Sequence, residues 1–178
     1  MSPAFSFSVE ESALIVPALE LVPLVGSFRQ LYDPSAAAGV PPHVTVIYPF
    51  LDPARLTSEV FAELDRLVTA RQAFQYSLVD VREFEGGVLY LTPEPVDLFM
   101  ALTESVGRTF EVAPYGGVHA TVVPHLTVSR TASDVERARI ADVLERSLPQ
   151  AALAAEVWLM VGSNEAAWRK HRAISLGR

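Results

Sequence analysis

Pro42-His43-Val44-Thr45-Val46 and Pro124-His125-Leu126-Thr127-Val128 are two copies of one pattern, set far apart in the chain. Each opens a stretch rich in β-branched residues, which predicts a strand over 43–50 and another over 122–130. Side chains alternate faces along a strand, so His43 and Thr45 share one face while Val44 and Val46 share the other. His125 and Thr127 stand in the same relation to Leu126 and Val128. Each strand thus shows an imidazole beside a hydroxyl and rests on aliphatic residues. A single His-x-Thr is a weak signal, because a strand histidine is commonly structural. Two matched copies, using two of the four histidines in the chain, point to a site. The competing explanation is a duplicated packing element whose polar face is merely solvated.

Two such strands meeting across a cleft would place imidazoles on opposite sides of one small ligand. Hydrolysis of a phosphate ester needs that arrangement. One neutral imidazole takes a proton from the attacking water, and the other, protonated, gives one to the leaving oxygen. Histidine is the side chain that holds both forms near neutrality. The threonine hydroxyls can donate to the non-bridging phosphoryl oxygens. No metal, covalent nucleophile or organic cofactor is required.

Outward from the motifs, the elements alternate irregularly. Strands are expected over 12–21, 73–82, 87–92, 154–162 and 168–176. Helices are expected over 25–32, from Thr57 or Ser58 to about Arg71, from Pro95 to about Phe110, and from Ser133 to about Leu148. Ser133 with Glu136 is a capping-box pattern. Residues 34–42 and 113–121 read as loops. The pairs 73–82 with 87–92 and 154–162 with 168–176 are hairpin-like, so an α+β chain with antiparallel sheets is expected over 1–178 as one domain.

The 178 residues are 50% hydrophobic and 20% charged, with a net charge of −7. Such a chain packs a core. An acidic surface argues against an extended duplex nucleic acid as partner, while leaving room for a small nucleotide or one RNA end. The absence of cysteine excludes thiolate nucleophiles, disulfides and cysteine-bound zinc, and suits a reducing cytoplasm. Neither a signal peptide nor a membrane span is expected, since Pro17, Glu20 and Pro23 break the first apolar run.

At the two motifs the sequence resembles the 2H phosphoesterase superfamily, defined by paired His-x-Thr-x motifs, and within it the 2′-5′ RNA ligase-like branch. The stretches Gly39–Phe50, Tyr90–Pro95, Pro114–Gly117 and Val123–Val128 carry the likeness. The resemblance implies a bilobal fold with pseudo-two-fold symmetry, each lobe giving one motif to a central cleft. It implies action on 2′,3′-cyclic phosphates or related cyclic phosphodiesters, extending to reversible 2′-5′ RNA joining. A monomer is expected. The catalytic residues carried over are His43, Thr45, His125 and Thr127. Members often have an arginine three residues after the second threonine, which is Arg130 here, and the matching place after the first motif is Tyr48. Strict alternation puts both on the wrong face, so a bulge or a strand end would have to turn them inward. Tyr48 reads equally as a core aromatic, and Arg130 as a phosphate contact.

Among the remaining residues, His119 reads as solvent-exposed. His171 in Arg169-Lys170-His171-Arg172 is either a field source for phosphate or part of a charge-protected edge strand. Trp168 and Tyr115 could stack on a base or simply pack. Glu10-Glu11 and Glu83/Glu85 read as solvated surface. Two other functions compete with hydrolysis. A phosphate- or RNA-end-binding module could use the same fold without turnover. A metal hydrolase would need His43, His125, His119 and His171, which lack ligand spacing.

Overall fold

The computed structural model describes residues 10–117, 122–163 and 167–177. Strand β1 (Glu11–Pro17) is followed by a 3₁₀ turn, helix α1 (Val22–Tyr32), helix α2 (Pro34–Ala37) and strand β2 (His43–Ile47). Helix α3 (Ser58–Thr69) leads to the hairpin β3 (Phe74–Phe84) and β4 (Val88–Glu94), then to α4 (Val96–Phe110) and β5 (Leu126–Ser129). The chain closes with α5 (Asp134–Glu145), β6 (Gln150–Ala154), β7 (Glu156–Gly162) and β8 (Arg169–Ser175).

Two four-stranded sheets result, ordered β2-β1-β7-β8 and β5-β4-β3-β6, with every neighbouring pair antiparallel. The order is the same in both sheets once β2 is matched with β5 and β1 with β4. Each motif strand is an outer strand of its sheet, and in each half the chain runs strand, helix, motif strand. The helices lace the halves together. Thr103 of α4 donates to the Val46 carbonyl of β2 at 2.8 Å. In return, the Tyr32 carbonyl at the end of α1 accepts from the amides of Arg130 and Thr131, just past β5, at 2.7 and 3.0 Å. One buried apolar cluster joins residues of both sheets, among them Leu14, Val44, Leu64, Leu78, Leu91, Phe99, Leu126 and Leu144.

The local chemistry explains most boundaries. Helix α3 starts on Thr57, whose hydroxyl accepts from the Val60 amide, and buries Leu64, Leu67 and Val68 at helical spacing. The capping box at Ser133 and Glu136 is formed. Four expectations need correction. The strand expected over 12–21 ends at Pro17, which has no amide to continue a ladder, and α1 begins at Val22 because Pro23 is accommodated in its first turn. Residues 34–37, expected as loop, form a turn of helix because the Asp33 side chain accepts from the Ser35 amide. The strand expected over 154–162 is β7, and it is preceded by a strand that was not expected, β6, with Ala155 between them. Strand β5 spans only Leu126–Ser129, since Pro124 cannot donate to a ladder. No helix among the described residues is long and apolar enough to cross a membrane.

Candidate active site

The same irregularity marks both motif strands. Between β1 and β2, Leu14 pairs with Ile47 and Ile15 with Thr45, which leaves Val46 as an extra residue. Between β4 and β5, Leu89 pairs with Ser129 and Tyr90 with Thr127, which leaves Val128 extra. Each bulge falls one residue after the motif threonine. A bulge shifts the alternation by one, so the third residue after the threonine returns to the face of the threonine. Burial follows in β2, where Val46 and Ile47 are consecutive core residues. Tyr48 and Arg130 then join the motif face. This removes the objection raised by strict alternation.

His43, Thr45, Tyr48, His125, Thr127 and Arg130 all line one hollow of about 370 Å³. The two imidazoles are held alike. His43 Nδ1 lies 2.7 Å from the Pro41 carbonyl and His125 Nδ1 lies 2.7 Å from the Val123 carbonyl. A carbonyl oxygen only accepts, so each Nδ1 carries the proton and Nε2 is the nitrogen left for chemistry. Burial pushes the His43 pKa down to about 4, helped by the Arg29 guanidinium and opposed by the Pro41 carbonyl and Asp33. A charge on His125 would lower His43 further, as the smallest of these effects. Burial lowers His125 as well, against the pull of the Val123 carbonyl, and Arg130 adds to the lowering. Both shifts favour the neutral imidazole.

Aromatic residues complete the walls. Tyr115 and Trp168 line the same hollow. The Tyr115 amide donates to the Tyr48 carbonyl at 2.6 Å, which fixes the loop against the first motif strand. Trp168 meets Tyr48 edge-on at 6.0 Å, and its amide donates to the Ala38 carbonyl at 2.7 Å. Gly162 is needed there, since a Cβ would come within 2.6 Å of the indole. His125 packs edge-on against Phe84 and Tyr90, at 4.9 and 5.3 Å.

The family model of the 2′-5′ RNA ligase superfamily matches residues 17–166. The chain belongs to that superfamily. It is 28% identical over 132 residues to the Geobacillus kaustophilus protein named "Putative phosphoesterase GK0864", covering 73% of this chain and 72% of that one. A Bacillus cytotoxicus relative with the same kind of name is 28% identical over 129 residues, covering 71% and 73%. Among solved structures, E. coli LigT complexed with 3′-AMP matches with a TM-score of 0.58 at 15% identity, over 95% of this chain and 99% of that one. Thermus thermophilus TT0787 matches with a TM-score of 0.61 at 15% identity, over 94% and 99%. These two likenesses establish the shared fold. The 2H phosphoesterase resemblance read from the paired motifs is thus borne out.

Beneath this 2′-5′ RNA ligase superfamily site lies an ion network that the sequence reading missed. Arg29 and Asp33 are both buried, and Arg29 Nη2 donates to Asp33 Oδ2 at 2.8 Å. Arg29 Nη1 also donates to the Val40 carbonyl at 3.3 Å, tying down the segment whose Pro41 carbonyl orients His43. The other Asp33 oxygen lies 3.6 Å from Arg130 Nε. One carboxylate therefore links the first histidine's loop to the second motif's arginine. The i,i+4 spacing of Arg29 and Asp33 at a helix end was visible, but burial was not.

Other residues take quieter places. His119 lies outside the described residues. His171 is exposed on β8 and packs on Phe61 at 5.6 Å, away from the hollow. Its neighbours are engaged: Arg169 with Glu10, Lys170 over the Trp158 ring and Arg172 with Asp65. The charge-protected outer strand is the reading that fits. The acidic residues are less idle than expected. Glu11 accepts from the Tyr48 hydroxyl at 2.6 Å, which with burial raises the Tyr48 pKa to about 12, and Glu83 pairs with Arg137 at 3.0 Å. Among the described residues, no three His, Cys, Asp or Glu side chains gather to hold a metal ion.

Proposed function

We propose that this chain hydrolyses 2′,3′-cyclic phosphates, or related cyclic phosphodiesters, of a nucleotide or an RNA end, with two histidines moving the protons. The observation that carries the reading is the matched pair of carbonyl-held imidazoles lining one hollow with two threonines and Arg130. His43, whose pKa is held down to about 4, takes a proton at Nε2 from water as the water oxygen bonds to phosphorus. The bond from phosphorus to one sugar oxygen breaks, and His125 delivers a proton to that oxygen from Nε2. An anionic substrate raises the pKa of both rings, which lets His125 hold that proton. Thr45 and Thr127 donate to the non-bridging oxygens, and Arg130 balances their charge. The product is a phosphomonoester. With a 5′-hydroxyl in place of water, the same proton movements form a 2′-5′ linkage.

LigT structures holding 3′-AMP and ATP support a ligand of nucleotide size. The test is a panel of 2′,3′-cyclic nucleotides and cyclic-phosphate-ended RNA, followed by phosphorus NMR in the presence of EDTA. Turnover to a monoester is expected. Undiminished turnover by the His43→Ala/His125→Ala double variant would overturn the mechanism. Tight binding without turnover would turn the chain into a phosphate-binding module.

A further inference from the structure

His125 stands between two hollows. The first is the one described above. The second, of about 590 Å³, is walled by Phe84, Glu85 and Val88 of the β3–β4 hairpin and shares Tyr115, His125 and Arg130 with the first.

The hairpin wall is built to stay in place. Phe84 stacks on Tyr90 with centroids 4.0 Å apart and planes 20° apart, and Tyr90 is itself buried. One face of Phe84 is thereby taken, while the half-buried ring still bounds the second hollow. Arg137 braces the hairpin from α5, donating from Nε to Glu83 at 3.0 Å and from Nη1 to the Ala132 carbonyl at 2.7 Å. Gly87, at φ +85°, leaves that arginine its space, since a Cβ would come within 2.9 Å of Nη1. A wall fixed before the ligand arrives wastes little binding free energy on ordering.

The lining also selects the occupant. Arg130 supplies a donor beside His125, on the side shared with the first hollow. Phe84, Tyr115 and Val88 supply ring faces and an aliphatic surface. Glu85 adds a carboxylate, which repels a second phosphate. A flat, uncharged ring whose attached phosphate reaches towards His125 satisfies all three conditions, and a further anion does not.

We propose that this second hollow holds the nucleobase of the substrate, on the leaving-group side of the phosphoryl position. The inference rests on the proposed function: the sugar whose oxygen takes the proton from His125 carries the ring that lies against Phe84. The competing explanation is that Phe84 only orients His125, which it meets edge-on.

Calorimetric titration with 3′-AMP and with the base-free ribose 3-phosphate separates the two. Wild-type protein should bind 3′-AMP about tenfold more tightly, the usual scale of ring stacking. Phe84→Leu, which removes the flat face and keeps an apolar side chain, should bring that ratio close to one. In the wild type, an NMR cross-peak should connect the adenine protons to the Phe84 ring, a readout that does not depend on how the variant folds. The second hollow is overturned if the ratio survives Phe84→Leu, if Trp168→Leu abolishes it instead, or if the adenine cross-peaks go to Trp168. A wild-type ratio of one with both phosphates bound sinks only this inference. Failure of both phosphates to bind sinks the catalytic reading as well.

Discussion

The two motif strands share a backbone device but sit in different surroundings. In both, a carbonyl two residues back holds Nδ1 and a valine bulge follows the threonine. His43, however, lies above a buried ion network, where Arg29, Asp33 and the Val40 carbonyl fix its loop. His125 lies against Phe84 and Tyr90 instead. Burial leads the lowering of both rings; at His43, which falls to about 4, the buried Arg29 adds to it, and at His125 the exposed Arg130 does. The contrast teaches that one repeated geometry can be tuned differently by what lies behind each ring, which is what the proposed acid and base roles require. Pairs of titratable groups whose surroundings differ are where such roles divide.

The largest expected effect breaks the catalytic symmetry. His43→Ala and His125→Ala should each lower kcat by about 10²- to 10⁴-fold. A substrate with a p-nitrophenolate leaving group needs no proton on departure, so it should restore much of the rate to His125→Ala and little to His43→Ala. Equal rescue would dissolve the assigned roles. Next comes Asp33→Asn. It strands a buried guanidinium, a change that typically costs roughly 3–5 kcal/mol, measurable by urea denaturation. It should also raise KM through the loss of the Arg130 anchor, without moving the alkaline limb of the pH–rate profile.

Smaller in scale, Thr103→Val leaves the Val46 carbonyl without its side-chain donor. The expected destabilisation is about 1–3 kcal/mol, and NMR shifts should change around His43 more than around His125. The mildest effect is on pH. Both histidines have folded pKa values below the usual value near 6.5, so the unfolded chain binds more protons as the pH falls. Their share of stability is complete above that value and drains as pH falls towards about 4 for His43. His43→Asn should therefore show a shallower loss of thermal midpoint between neutral pH and pH 4 than the wild type.

The shared face of each motif was legible because strand alternation needs only nearest neighbours: His43 with Thr45, and His125 with Thr127. The antiparallel pairing of the hairpin strands was legible for a similar reason, through the Glu85-Gly86-Gly87 turn. Inward-turned Tyr48 and Arg130 were not, since a bulge is a property of two strands and the partners β1 and β4 lie far away in sequence. A trace existed in the adjacent apolar pair Val46-Ile47. Arg29 and Asp33 were hidden because charged residues usually face water, and only the packing of α1 against the second sheet encloses them. Strand β6 escaped notice because Gln150-Ala-Ala-Leu-Ala154 has little β-branched character. Its place is set by pairing with β3, a tertiary effect that overrides propensity.

The crosswise hydrogen bonds of α1 and α4 carry one more consequence. A clamshell opening of the halves would tear Thr103 from Val46 and Arg130 from Tyr32 at the very strands that bear the histidines. A hinge motion of that kind would disturb the motif strands themselves. The spacing of the two imidazoles is thus tied to hydrogen bonds that cross from one half of the molecule to the other.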